Sequence, residues 1–137
     1  MTATDERIQS LGSIPLFSEL DADALRQVGA LIIDFDAPAG RLLIEPHTVG
    51  QGLFIIEEGT VVASVRGHDV ELSAGEFVGE LSLLDDRATR TVRVRARTAV
   101  RGCCIKRDDF TTLLEAQPRI AVAMLKILAA RLHDALH

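Results

Sequence analysis

The residues best suited to chemistry lie in Gly79-Glu80-Leu81-Ser82-Leu83-Leu84 and, after a five-residue loop, in Arg90-Thr91-Val92-Arg93-Val94-Arg95-Ala96. Gly79 permits close approach of backbone to a ligand, and the apolar run after it is long enough for one helical turn, whose first N–H groups would face an anion. Arg90, entering from the next strand, adds a permanently charged planar fork suited to phosphate. A carboxylate so near would repel phosphate, so Glu80 needs another target, such as a sugar hydroxyl. An anion beside a hydroxyl suggests a nucleotide.

Short β-branched runs and glycines dominate the middle of the chain, with helical periodicity on either side. From Ile33 to about Lys106 the glycines at 40, 50, 52, 59, 67, 75 and 79 punctuate candidate strands Leu42–Ile44, Leu53–Ile56, Val61–Val65, Val70–Leu72, Thr91–Ala96 and Val100–Ile105. Turn signals at that spacing predict an antiparallel β-barrel or jelly roll. Before it, a helical segment covers about Asp5 to Leu11, and Asp21 is placed to cap a second helix carrying Leu25, Val28, Leu31 and Ile32. After it, Arg107 to Leu114 reads as a short helix, and Pro118 suits the first turn of a longer one reaching about Leu136. The expectation is one domain over residues 1–137: a helical part (1–32), a barrel (33–106) with its ligand-binding segment at 79–91, and C-terminal helices (107–137).

Gly79-Glu80-Leu81-x-Leu83-Leu84 and Arg90-Thr91-x-x-Val94-Arg95-Ala96 resemble the phosphate-binding cassette of the cyclic nucleotide-binding domain family, to which the catabolite activator protein and the regulatory subunits of protein kinase A belong. Gly50-x-Gly52-Leu53-Phe54-Ile55-Ile56-x-x-Gly59-x-Val61 resembles the barrel of that family, and Ile14-Pro15-Leu16-Phe17-Ser18-x-Leu20 its opening segment. The resemblance implies a double-stranded β-helix flanked by helices. It also implies roles: Arg90 on the phosphate oxygens, Glu80 on the ribose 2′-OH, backbone contacts from Gly79, Leu81 and Ser82, and Thr91 reaching phosphate or base. Two departures stand out. Thr89 precedes the arginine where many relatives have proline, and Val92-Arg93 replaces the small residues that follow it. Moving the phosphate role to Arg87 would spoil the strand alignment, so Arg90 remains the expected ligand.

Composition narrows the function classes. A chain of 137 residues with 47% hydrophobic content supports a single core. Fifteen basic against twenty acidic residues, net charge -5, argue against a broad nucleic-acid or anionic-membrane footprint. No run is long and apolar enough to span a membrane, and the first residues lack the pattern of a signal peptide, so a cytoplasmic location is expected. Arg93, Arg95 and Arg97 share one face of a strand whose other face carries Val92, Val94 and Ala96, which predicts a solvated face opposite a core face. His47, His68, His133 and His137 are scattered, so a metal enzyme on this barrel is not expected. The adjacent Cys103 and Cys104 read as ordinary strand residues, one inward and one outward. With no tyrosine or tryptophan in the chain, neither can stack on a base.

The resulting expectation is a regulatory domain that binds cAMP or cGMP, with a lean to cAMP, and no enzyme activity, cofactor or metal. Binding would move the last helix. No DNA-reading segment follows that helix, so direct DNA binding is not expected, and the effector is unknown. In the last helix Ala121, Leu125, Leu128, Leu132 and Ala135 recur by four and three beside a second stripe of Ile120, Met124 and Ile127, so one stripe could meet a second copy. The alternative is a domain of the same fold that binds no nucleotide and serves as an interaction or dimerisation module.

Overall fold

The computed structural model describes residues 3–47, 51–85, 87 and 91–136. They divide into two compact units, one comprising residues 31–110 and the other residues 1–30 with 111–137.

The first unit is built from eight strands: β1 (Ile32–Ala37), β2 (Leu42–Ile44), β3 (Gly52–Glu58), β4 (Val61–Val65), β5 (His68–Leu72), β6 (Phe77–Val78), β7 (Val92–Ala96) and β8 (Val100–Lys106). They form two four-stranded sheets, ordered β1-β8-β3-β6 and β2-β7-β4-β5, with every pairing antiparallel. First pairs with last, second with seventh, third with sixth and fourth with fifth, which is one long hairpin rolled into a jelly roll. The two sheets face each other without closing into a continuous hydrogen-bonded barrel. At the tip of the hairpin Val65 pairs with His68 across Arg66-Gly67, whose φ angles of 52° and 83° are the left-handed pair that a two-residue turn requires.

The core lies between the sheets. Ala37, Ile56, Val78 and Val100 from one sheet meet Val61, Leu72, Val92, Val94 and Ala96 from the other in a single buried cluster. Each such aliphatic side chain contributes about 1.5–3 kcal/mol when fully withdrawn from water. On β7 the expected alternation holds throughout: Val92, Val94 and Ala96 are buried while Arg93 and Arg95 are exposed.

Two strands were not foreseen. Helical spacing continues through Leu31 into Ile32, but α2 (Ala22–Leu31) stops there, and Ile32 begins β1 opposite Ile105. β1 shows no alternation of burial along most of its length, so period two had nothing to signal. β6 has only two residues, Phe77 and Val78, paired with Ile55 and Phe54.

In the second unit, α1 (Ala3–Gly12), a short 3-10 turn (Pro15–Phe17), α2 and α5 (Pro118–Ala135) account for most of the chain. Asp21 caps α2 as expected, its Oδ1 accepting from the Ala24 N–H at 2.8 Å. Pro118 occupies the first turn of α5. The 3-10 turn buries Leu16 and Phe17 and packs on α5, where Arg119 Nη1 donates to the Glu19 carbonyl at 3.2 Å. Ile120 and Met124 of α5 are buried, whereas Val122, Leu125, Leu132 and Leu136 are exposed. The remaining helices are α3 (Glu80–Leu84), within the sheets' unit, and α4 (Arg107–Ala116), within which the division between units falls.

Candidate functional site

Between β6 and β7 the chain leaves the sheets and forms α3, the single helical turn expected after Gly79. Gly79 is the residue before that turn and takes φ 101°, a left-handed conformation that a side chain disfavours. Space forbids one as well: a Cβ there would lie 2.8 Å from the Gly52 carbonyl oxygen and 3.2 Å from Ile44 Cδ1. Gly79 therefore lets β6 pass into α3 hard against the start of β3.

The burial of α3 runs against ordinary patterning. Glu80 and Ser82 are buried, at 6% and 1% exposure, while Leu81 and Leu84 lie open at 40% and 55%. Ser82 Oγ is buried without a hydrogen-bond partner among the described residues. Burial of a carboxylate and a hydroxyl costs free energy that a protein usually avoids. α3 thus turns two polar side chains inward and two leucines outward.

The C-terminal end of α3 is held from two sides. The Asp85 N–H donates to the Leu81 carbonyl at 2.9 Å, and Arg107 Nη1 reaches the Ser82 carbonyl at 3.3 Å. Asp85 also engages Arg87 in a fork, Oδ1 accepting from Nε at 3.0 Å and Oδ2 from Nη2 at 3.1 Å. That guanidinium holds the Asp85 carboxyl below its ordinary range, chiefly through the side-chain hydrogen bond. Arg87 is thus paired with Asp85 at the surface.

Of the residues singled out in the sequence, Gly79, Glu80, Leu81 and Ser82 are contiguous at this turn, and Thr91 is half-buried immediately before β7. Arg90 lies outside the described residues. Arg107, which sequence reasoning passed over as the start of a helix, touches the same turn across 25 positions of chain. Only pairing of β8 beside β3, which sets the Arg107 N–H on the Gln51 carbonyl at 3.0 Å, brings it there.

Among the described residues no group of three or more His, Cys, Asp or Glu is placed to hold a metal ion, and no helix is long and apolar enough to cross a membrane. Cys103 is fully buried and Cys104 partly so; neither forms a disulfide, and burial pushes the Cys104 thiol up, away from the reactive thiolate.

Comparison with known proteins identifies the family of the chain. The profile of the cyclic nucleotide-binding domain family matches residues 35–117, which include the whole of α3 and seven of the eight strands in full or in large part. A cyclic nucleotide-gated potassium channel of Rhizobium etli is 33% identical over 118 residues, covering 86% of this chain and 33% of the channel. The cAMP-dependent protein kinase regulatory subunit of Emericella nidulans is 31% identical over 107 residues, covering 76% of this chain and 26% of the subunit. Among solved structures, the Thermus thermophilus catabolite activator protein superposes with a TM-score of 0.74 at 26% identity, covering 88% of this chain and 59% of that one. The chain thus spans a third or less of the curated relatives it matches. A profile match over more than half its length, on a jelly roll with the cassette turn in place, means that the chain belongs to the cyclic nucleotide-binding domain family.

Proposed function

We propose that this domain binds a cyclic nucleotide, cAMP in preference to cGMP, and converts binding into a change at its C-terminal helices without turning the ligand over. The observation that carries this reading is the inverted burial of α3: Glu80 and Ser82 are turned in behind Gly79, within the span that matches the family profile. In this reading Glu80 accepts from the ribose 2′-OH, the amides of Gly79, Leu81 and Ser82 face the phosphate, and Arg90 and Thr91 approach it from the start of β7. No cofactor or metal takes part. The domain works in the cytoplasm, with an effector on another segment or another chain.

Isothermal titration of the purified protein with cAMP and then cGMP, after a denaturing wash to strip carried-over nucleotide, tests this. Saturable binding is expected, weakened about 10- to 100-fold or more in Arg90→Ala, since a charge-assisted hydrogen bond is worth about 1.5–3 kcal/mol. A folded protein that takes up neither nucleotide would sink the proposal and leave the interaction module in its place.

The exposed stripe on α5 supports a homodimer as a second element of the reading. Leu125 and Leu132, at 66% and 60% exposure, belong to the four-three series expected to meet a partner, and Val122 and Leu136 extend the same open surface. A stripe of that spacing is complementary to a copy of itself. Sedimentation equilibrium of the wild type against Leu125→Glu/Leu132→Glu checks it, with dimer expected only in the wild type.

A further inference from the structure

Arg107 holds two places in the sheets' unit at once. It follows β8 directly and is the first residue of α4. Its backbone N–H donates to the Gln51 carbonyl at 3.0 Å, just ahead of β3, and its Nη1 donates to the Ser82 carbonyl in α3 at 3.3 Å. A helix of five residues cannot satisfy its last carbonyls internally, and Ser82 O is one of them. A guanidinium is well suited to the task, being permanently charged and rigid at its donor end. The contact is part-buried, so salt and water screen it less than a surface pair.

We infer that Arg107 is a positioning residue that couples the ligand-binding turn to α4. The inference rests on the proposed nucleotide reading. A ligand that draws on Glu80 or on the amides of α3 displaces the Ser82 carbonyl, whereas the backbone of Arg107 is tied to Gln51. The Arg107 bond to Ser82 is then formed in one arrangement of α3 and lost in another. Its free energy enters the stability of the first turn of α4, from which the chain runs on through Phe110 into the helical unit. Coupling of this kind is reciprocal: what the ligand does to α4, the loss of the Arg107 donor does to ligand affinity.

The test combines cAMP titration with amide hydrogen exchange across α3 and α4, with and without saturating cAMP, on the wild type, Arg107→Lys and Arg107→Met. In the wild type cAMP changes exchange in α4 by about fivefold or more. Arg107→Met, shown to be folded by its melting transition, still saturates with cAMP, with a Kd changed by about the same factor. Its α3 amides exchange faster without ligand, and its α4 response to ligand is lost. Arg107→Lys, which keeps a charged donor without the fork, gives an intermediate response. A saturated Arg107→Met that responds in α4 like the wild type overturns the coupling while leaving the nucleotide reading intact. A wild type that binds neither nucleotide overturns both. Should Arg107→Met fail to fold, Arg107→Lys decides alone: a reduced α4 response supports the inference and a wild-type response overturns it.

Discussion

α3 and β7 are near neighbours in the chain and opposites in patterning. On β7 every aliphatic side chain is buried and the arginines between them stand in water. On α3 the carboxylate of Glu80 and the hydroxyl of Ser82 are buried while Leu81 and Leu84 are exposed. β7 follows the rule that stabilises a sandwich, and α3 breaks it at the turn where the proposed nucleotide reading puts the ligand. A segment that violates burial preference inside an otherwise consistent fold marks a site whose shape answers to something besides stability.

The contrast is easiest to sharpen on the orthodox side. Val94 has no exposure and sits among core side chains from both sheets. Val94→Asp should cost about 4 kcal/mol or more by burying an unpaired charge, whereas Arg93→Ala one position away should stay within about 0.5 kcal/mol. Urea unfolding of the pair measures both, and similar losses at the two positions would mean that β7 is not the inside-outside strand described.

On the other side the sign should reverse. Ser82→Ala removes a buried hydroxyl that has no hydrogen-bond partner among the described residues. It should raise stability of the ligand-free protein by about 1 kcal/mol, seen as a higher melting temperature. A lower melting temperature would show that the hydroxyl is satisfied after all, and the inversion of α3 would then carry no stability cost at that position.

The smallest effect comes from exposed ion pairs, one across β3 and β8 and one just after α3. Arg101 holds the Glu58 carboxyl below its ordinary range, first through a side-chain hydrogen bond, and Arg87 does the same to Asp85. A carboxyl lowered in the folded state contributes stability above its unfolded pKa and loses it as pH falls through the folded value. Melting temperature should therefore be flat near neutrality and decline below about pH 4. Glu58→Gln should flatten part of that decline, by little, because surface pairs are well screened.

Much of this arrangement was legible in the residues, for physical reasons that differ by region. The cleanly alternating strand β7 and the capped start of α2 at Asp21 announce themselves through local chemistry. β1 did not, because its burial lacks a period of two, and neither did β6, which is too short to have a period. The turn after Gly79 could be found from a glycine, a carboxylate and an apolar run. Its orientation could not, since the rule that puts leucines inside would have exposed Glu80. The Arg107 contact was out of reach for another reason: it depends on β8 lying beside β3, a pairing that no local window contains.

The nesting of the strand pairs bears on how the chain reaches this state. Closing β4 on β5 takes only the turn Arg66-Gly67, while bringing β1 to β8 needs the whole intervening chain. The entropy of closing a loop grows with its length, so the hairpin tip is the cheapest contact to make and the β1–β8 pair the dearest unless the inner pairs form first. Assembly that proceeds from the tip outwards leaves β1 and β8 to zip last. These are the strands from which α2 enters and α4 departs, so the helices are joined to the part of the sandwich that is latest to form and, by the same ordering, earliest to open.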